Sequence, residues 1–250
     1  MIYKAFKINT YNIYTIKTDK FKTCHMEIIF RNNIKKEDVT KRSLLTEMIV
    51  ENTKKYNTRR KMSVELENLY NAYFYGITNR VGSSILTSFC FDFINPNLVN
   101  EKLDNFIKFP LEAVLNPNIN NNEFDITTFN YIKERVKKDI ESIVEDPKNY
   151  SINKLLNRMC KNTESSININ GYVEDLDLIT NSNLYEYYCD MLKHDYIDIY
   201  IIGDIDMEKV SDIIKNNFKL NILKSHKVTY EVNNKSVKKE RKIYEWYPFS

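Results

Sequence analysis

The side chains that could do chemistry together are few, and two of them lie in the segment 40–55. Ser43 and Glu47 stand one helical turn apart there, so a helix would carry both on one side. The carboxylate of Glu47 could bind a metal ion, whereas a serine hydroxyl does not ionise near neutral pH and is a poor zinc ligand. Because a zinc site needs three protein ligands, this pair alone does not make one.

Asp139 is a third candidate, in a predicted helix that spans residues 126–145. The apolar stripe of that helix consists of Phe129, Ile132, Val136, Ile140 and Ile143. Asp139 lies three residues after Val136 and four before Ile143, which places it at the edge of the stripe. Since burying a charged carboxylate is costly unless it has a partner, we interpret Asp139 as bonded to a neighbouring residue.

The elements that position these residues alternate along the chain. Leu44, Leu45, Met48 and Ile49 form one apolar stripe, which is typical of a helix packed on a sheet, and Asn52 fits a left-handed helix end. Gly76 is predicted to end a second helix that begins at Ser63. Strands are predicted within 2–30 and at 77–81, 85–94 and 196–202. Further helices are predicted at 98–115, 126–145, 149–160, 183–193 and after Asp206. Pro110 predicts a kink or an early stop in the helix 98–115. This order predicts an α+β domain with a mostly antiparallel sheet and helices packed chiefly on one face.

The composition excludes several classes of function. The 37 basic and 34 acidic side chains give a net charge of +3, too balanced to indicate nucleic-acid binding. The four glycines never cluster, which excludes a glycine-rich phosphate loop, and the four cysteines are widely spaced, which predicts free thiols in a reducing compartment. Residues 1–7 lack the apolar run of a signal peptide and no segment reaches membrane-spanning length. We therefore expect a cytoplasmic protein with no membrane partner.

The segment Ser43-Leu-Leu-Thr-Glu47 resembles the H-x-x-E-H helix of the insulinase/pitrilysin zinc peptidases, the inverzincins. In that family the two histidines bind zinc and the glutamate activates water. Laid onto this chain, the histidines fall on Ser43 and Glu47, and the glutamate falls on Thr46. Threonine cannot act as a general base at pH 7, so the resemblance implies a non-catalytic member of the family.

A second stretch resembles the helix from which active members take their third zinc ligand, a glutamate. In the run 136–147, which closes with Glu145-Asp-Pro147, Asp139 falls at the ligand position. Aspartate is one methylene shorter than glutamate. One aspartate cannot hold the metal when both histidines are missing.

The resemblance covers nearly all of residues 3–220. The Gly171-Tyr172 loop and the Gly203-Asp204 turn resemble the closing part of an insulinase-family half. The resemblance implies the fold of such a half, with residues 1–220 as an N-terminal domain and residues 221–250 as a linker toward a second half that is missing from this sequence.

Three functions stay open at this point. The resemblance implies a non-catalytic subunit that pairs with an active zinc peptidase and helps bind a peptide or small protein, with zinc in the partner and no metal or cofactor here. A divergent zinc metallopeptidase is the first alternative; it would use Glu47, Asp139 and one of three histidines, His25, His194 or His226. The second alternative is a standalone peptide-binding or scaffold module.

Overall fold

A computed structural model describes residues 1–8, 10–99, 101–161 and 163–220 of the chain. Its strands are β1 (Ile2–Lys7), β2 (Asn12–Lys17), β3 (Thr23–Asn33), β4 (Tyr73–Val81), β5 (Ser84–Ile94), β6 (Ile119–Asn120), β7 (Glu123–Phe124) and β8 (Tyr196–Gly203). Its helices are α1 (Lys36–Glu51), α2 (Arg59–Asn68), α3 (Pro96–Val99), α4 (Leu103–Leu115), α5 (Ile126–Ser142), α6 (Pro147–Met159), α7 (Val173–Leu176), α8 (Asn181–His194) and α9 (Met207–Asn217). Short 3₁₀ turns follow α5 and α6, at Ile143–Glu145 and Glu164–Ser166. The predicted linker, residues 221–250, lies outside the described residues.

The main sheet has six strands in the order β1-β2-β8-β3-β5-β4. Strands β2 and β8 run parallel, and the other neighbouring pairs are antiparallel. A separate hairpin pairs β6 with β7. The predicted α+β class with a mostly antiparallel sheet is confirmed.

One face of the sheet supplies the core. Met26, Ile28 and Phe30 alternate along β3 with 0% exposure, and Ile28 pairs across the sheet with Phe89 on one side and Ile199 on the other. The same buried cluster takes in side chains of α1, α4, α5, α8 and α9, so the helices pack on this inner face. The outer face is more polar and carries His25 and Glu27, which are half-buried.

Helix α1 is held tightly against this core. Its predicted stripe of Leu44, Leu45, Met48 and Ile49 is at most 2% exposed. Burial of each such side chain contributes roughly 2 kcal/mol of transfer free energy. The helix ends at Glu51 as the position of Asn52 indicates, but Asn52 is extended, with φ −161°, and the left-handed conformation predicted for it is wrong.

Gly76 lies inside β4, not at the end of a helix, so that prediction is wrong as well. A Cβ on Gly76 would sit 2.2 Å from the carbonyl oxygen of Thr46 in α1. The glycine is therefore needed for the close approach of helix to strand, and its position reflects tertiary packing that no local pattern shows.

Two predicted helix boundaries also differ. Helix α2 begins at Arg59 because the hydroxyl of Thr58, not Ser63, accepts the capping hydrogen bond from the amide of Lys61. The predicted helix 98–115 is two helices, α3 and α4, and α4 continues through Pro110 to Leu115 because the side chains on either side of the proline are buried.

No helix among the described residues is long and apolar enough to cross a membrane.

Candidate functional site

The candidate site lies on α1, at the positions where the family motif would place its ligands and base. Thr46 is 4% exposed, and its hydroxyl donates a 2.8 Å hydrogen bond to the carbonyl of Ser43. The hydroxyl of Ser43 is directed at the carbonyl of Ile169, 3.4 Å away. Both hydroxyls are therefore engaged with backbone carbonyls.

Glu47 is engaged as well, by a residue that the sequence analysis did not single out. The guanidinium of Arg135 in α5 binds the carboxylate of Glu47 through Nη2 and that of Glu51 through Nη1, the latter at 3.3 Å. We call this arrangement the Arg135 bridge. It joins α1 to α5 and neutralises Glu47, the one motif position that carries a metal-binding group.

Two further side chains close the arrangement around Glu51, whose side chain is only 10% exposed. Arg59 in α2 brings its Nε within 3.6 Å of Oε1 of Glu51, and its Nη1 donates a 3.0 Å hydrogen bond to the hydroxyl of Tyr131. The guanidinium of Arg135 in turn lies 5.6 Å from the centre of the Tyr131 ring. Two guanidiniums thus balance the charges of two carboxylates.

The electrostatics follow from this geometry. Burial raises the pKa of Glu47, and the charge of Arg135 opposes that rise. For Arg135, burial lowers the pKa of the guanidinium, but the charges of Glu47 and Glu51 outweigh burial and leave it above its usual range. The guanidinium is therefore charged at neutral pH.

Asp139 lies one turn beyond Arg135 on α5 and is exposed, so its predicted place at the edge of the buried stripe is wrong. Asp139 is exposed because the tightly packed part of α5 ends before it. Val136 is 4% exposed, whereas Ile140 is only partly buried. Asp139 adds a repulsive charge near Glu47, and burial and that charge both raise the pKa of Glu47. The structure thus brings Asp139 into the electrostatic neighbourhood of Glu47 without a direct bond between them.

The histidines proposed for an altered metal site are not brought together with Glu47. His25 lies on the outer face of the sheet, where its Nδ1 is 2.6 Å from Oδ1 of Asp92. His194 closes α8, with its Nδ1 2.7 Å from Oδ1 of Asp190, and His226 falls outside the described residues. Across the described ranges, no group of three His, Cys, Asp or Glu side chains is arranged to hold a metal ion.

The residues at the motif positions do not fit the zinc ion that the family implies. Two of the three positions hold hydroxyls bonded to backbone carbonyls, and the third holds a carboxylate already paired with a guanidinium. Zinc in proteins is held by thiolate, imidazole and carboxylate groups, three or more to a site. The motif positions of this chain therefore offer zinc at most one ligand, the carboxylate of Glu47.

A second charged cluster anchors α1 next to the site. Arg42 and Asp195 are each 1% exposed, and Nη2 of Arg42 lies 2.7 Å from Oδ2 of Asp195. The same guanidinium donates hydrogen bonds to the hydroxyls of Thr87, at 3.0 Å, and Tyr187, at 2.8 Å. Asn32 donates to the other oxygen of Asp195 at 2.7 Å, so both buried charges are paired and hydrogen-bonded. This cluster ties α1 to β5 and α8 and fixes the helix that carries Ser43.

Comparison with known proteins finds one curated relative and several solved structures with the same fold. No model of a protein family matches the sequence. Over 207 residues the chain is 28% identical to the probable inactive metalloprotease YmfF of Bacillus subtilis (strain 168), covering 82% of this chain and 49% of that protein. The solved structure of a conserved protein from Enterococcus faecalis superposes with a TM-score of 0.83 at 26% identity, over 89% of this chain and 53% of the other.

A peptidase M16 inactive domain from Pseudomonas fluorescens has the same fold, with a TM-score of 0.67 at 15% identity, over 87% of this chain and 50% of that one. The chain therefore has the fold of a peptidase M16 domain. It spans about half the length of the curated relative that it matches. This M16-type half carries Ser43, Thr46 and Glu47 where the family motif has its histidines and glutamate.

The sequence held a signal for the residue that was missed. Arg135 stands one turn before Asp139, and Glu51 stands one turn after Glu47. Two glutamates four residues apart project from the same side of a helix, where both can bind one arginine of a neighbouring helix. That the helices pack side by side, with Asn52 also donating to the hydroxyl of Thr128 at 2.9 Å, is visible only in three dimensions.

Proposed function

We propose that the chain is a non-catalytic subunit that pairs with an active zinc peptidase of the same family and helps to bind a peptide or small protein. The observation that carries this proposal is the face of α1, where Thr46 offers no base and Glu47 is neutralised by Arg135. The relative from Bacillus subtilis is described as a probable inactive metalloprotease, which supports the same reading for this chain. The zinc and the catalytic base would then be supplied by the partner, and a cytoplasmic location stays a prediction.

The pairing is proposed by analogy with longer relatives. The chain spans 49% of the curated relative and 53% of the Enterococcus structure, so both contain about as much sequence again. A domain that retains the family fold without the motif residues can still supply surface to an assembly, because its sheet and helices do not depend on the lost side chains for their packing. We therefore infer that this fold serves to hold a substrate beside a catalytic domain, as a heterodimer.

The peptide-binding part of the proposal rests on strand β4. It is an edge strand of the sheet, it packs directly against α1, and its end residues Tyr73 and Val81 are 63% and 57% exposed. An edge strand offers unpaired backbone donors and acceptors, to which an extended peptide can add as a further strand. We propose β4 as the strand that a bound peptide would extend.

Pairing is tested with purified components. The chain is mixed with an insulinase-family protein from the same genome that has an intact H-x-x-E-H motif, and sedimentation velocity measures complex formation while a quenched-fluorescence peptide reports hydrolysis. We expect a one-to-one complex, and hydrolysis only when the partner is present. Hydrolysis by this chain alone, abolished by a chelator and by Asp139→Asn, would identify a divergent metallopeptidase. Absence of a complex would indicate a standalone module.

Strand addition is tested separately with a labelled peptide that binds the complex. A version of the same peptide with alternate backbone nitrogens methylated keeps every side chain but loses half of its strand hydrogen bonds. We expect the methylated peptide to bind at least about tenfold more weakly, equivalent to roughly 1.4 kcal/mol. Equal affinity of the two peptides would refute binding by strand addition while leaving the pairing proposal intact.

A further inference from the structure

The Arg135 bridge joins two helices of this chain. The resemblance implies that a zinc ion joins the two corresponding helices in active relatives. In this chain the helices are α1, which carries the motif positions, and α5, which carries Asp139 and Arg135. The connection between them is a guanidinium bound to two carboxylates of α1. We propose that the guanidinium of Arg135 has taken over the structural role of the metal, that of the cation that fastens α5 to α1. This inference does not depend on pairing or peptide binding.

The chemistry of the group suits this role. A guanidinium is permanently charged, and its planar fork of N–H donors can bind two carboxylates at once, as Nη1 and Nη2 do here with Glu51 and Glu47. Unlike a metal ion, it cannot dissociate or be chelated. The spacing of the two glutamates is also suited, because residues four apart on a helix project on the same side.

The surroundings hold the cation in place. The side chain of Arg135 is 28% exposed, Tyr131 presents its ring to the guanidinium from the same helix, and the hydroxyl of Tyr131 accepts from Arg59. Arg59 in turn reaches Glu51 from α2. The contacts form a closed ring through α1, α2 and α5. A surface ion pair without such support contributes little to stability, so the ring is what makes Arg135 a structural element.

The proposal predicts that folding of the native chain is indifferent to metal and dependent on Arg135. We expect no change in Tm with a chelator or with zinc. We expect Arg135→Met to lower Tm by about 5 °C, because it leaves two half-buried carboxylates facing each other. Lys138→Met, on the same helix but exposed, is the matched control and should shift Tm by no more than about 1 °C. A Tm that falls with chelator, or one that Arg135→Met leaves unchanged, overturns the proposal.

If Arg135→Met does not fold, Arg135→Lys replaces it in the same comparison. A single ammonium group keeps the charge but cannot match the two-carboxylate fork. We expect a fall in Tm of about 2 °C for Arg135→Lys. A Tm equal to that of the native chain would refute the role assigned to the guanidinium.

Discussion

The substitution Gly76→Ala tests how closely α1 must approach β4. The added methyl group would lie 2.2 Å from the carbonyl oxygen of Thr46 and 2.7 Å from both its carbonyl carbon and its Cβ. Non-bonded carbon and oxygen atoms are ordinarily separated by about 3.4 Å, so the helix must move by about 1 Å. The obstacle is backbone in the middle of a packed helix, which cannot escape by changing rotamer.

The expected cost follows from that displacement. Adding a methylene to a packed core costs about 1–3 kcal/mol, and the rigid neighbour places Gly76→Ala at the upper end, about 3 kcal/mol. For a chain of this size that loss lowers Tm by about 6–12 °C. Urea unfolding followed by circular dichroism measures the loss as a lower midpoint at an unchanged m value.

Gly82→Ala is the matched control, because it changes the same residue type in the next turn along the chain. Gly82 has φ +61° and no atom within 4 Å of an added Cβ, so alanine there costs only the left-handed backbone conformation, about 1 kcal/mol. A loss below about 1 kcal/mol for Gly76→Ala, or a loss no greater than that of Gly82→Ala, would refute the close approach. Since Thr46 and Glu47 are adjacent, moving α1 should also weaken the Arg135 bridge, and the double variant Gly76→Ala with Arg135→Met should lose less stability than the sum of the two.

Three further substitutions have defined outcomes. Arg42→Met should lower the free energy of unfolding by about 4 kcal/mol in urea titrations, because Asp195 is left as a buried, unpaired charge; a loss under about 1 kcal/mol would show that the pair is not buried. Arg135→Gln should show a stability deficit that is largest near pH 8 and shrinks toward about pH 5. The direction of this pH dependence follows from Glu47, because burial raises the pKa of Glu47 and Arg135 opposes that rise. Without Arg135 the folded-state pKa of Glu47 rises further, so the variant loses stability as the pH increases through that pKa. A stability deficit that grows on acidification would contradict this. Asp146→Ala removes the side chain that accepts from the first amides of α6 and should cost about 1 kcal/mol, seen as faster amide exchange confined to that helix; unchanged exchange would refute the cap.

Local patterns in the sequence were sufficient for the parts of the fold that depend on one element at a time. The stripe of Leu44, Leu45, Met48 and Ile49 predicted the buried face of α1, because the hydrophobic period of a helix reports which face is buried. Strands were predicted within 2–30 and at 85–94, where the structure has β3 and β5. The prediction that Gly76 ends a helix was wrong because the contact that requires this glycine is not local. Its presence is explained by Thr46 on a neighbouring helix, and a contact between elements thirty residues apart leaves no local signature.

The candidate site could also be predicted only in part from the sequence. The degenerate positions Ser43, Thr46 and Glu47 could be located by motif spacing, and the structure brings them onto one helix beside the core. The partner of Glu47 could not be located by motif, because Arg135 has no counterpart in the H-x-x-E-H pattern and stands one turn from the residue that the pattern favours. Asp139 was expected at the edge of the buried stripe, but the packing of α5 ends before that turn, which only the arrangement of the two helices determines.

Zinc content is the most direct test of the claim that the motif positions of this chain hold no metal and that the guanidinium of Arg135 joins α1 to α5 instead. The purified chain is dialysed against trace zinc and its metal content is measured by elemental mass spectrometry. The structure predicts less than about a tenth of an equivalent, because Ser43 and Thr46 are poor ligands and Glu47 is already bound. About one equivalent of zinc that is lost on Glu47→Ala would contradict the claim and identify the chain as an unconventional metallopeptidase.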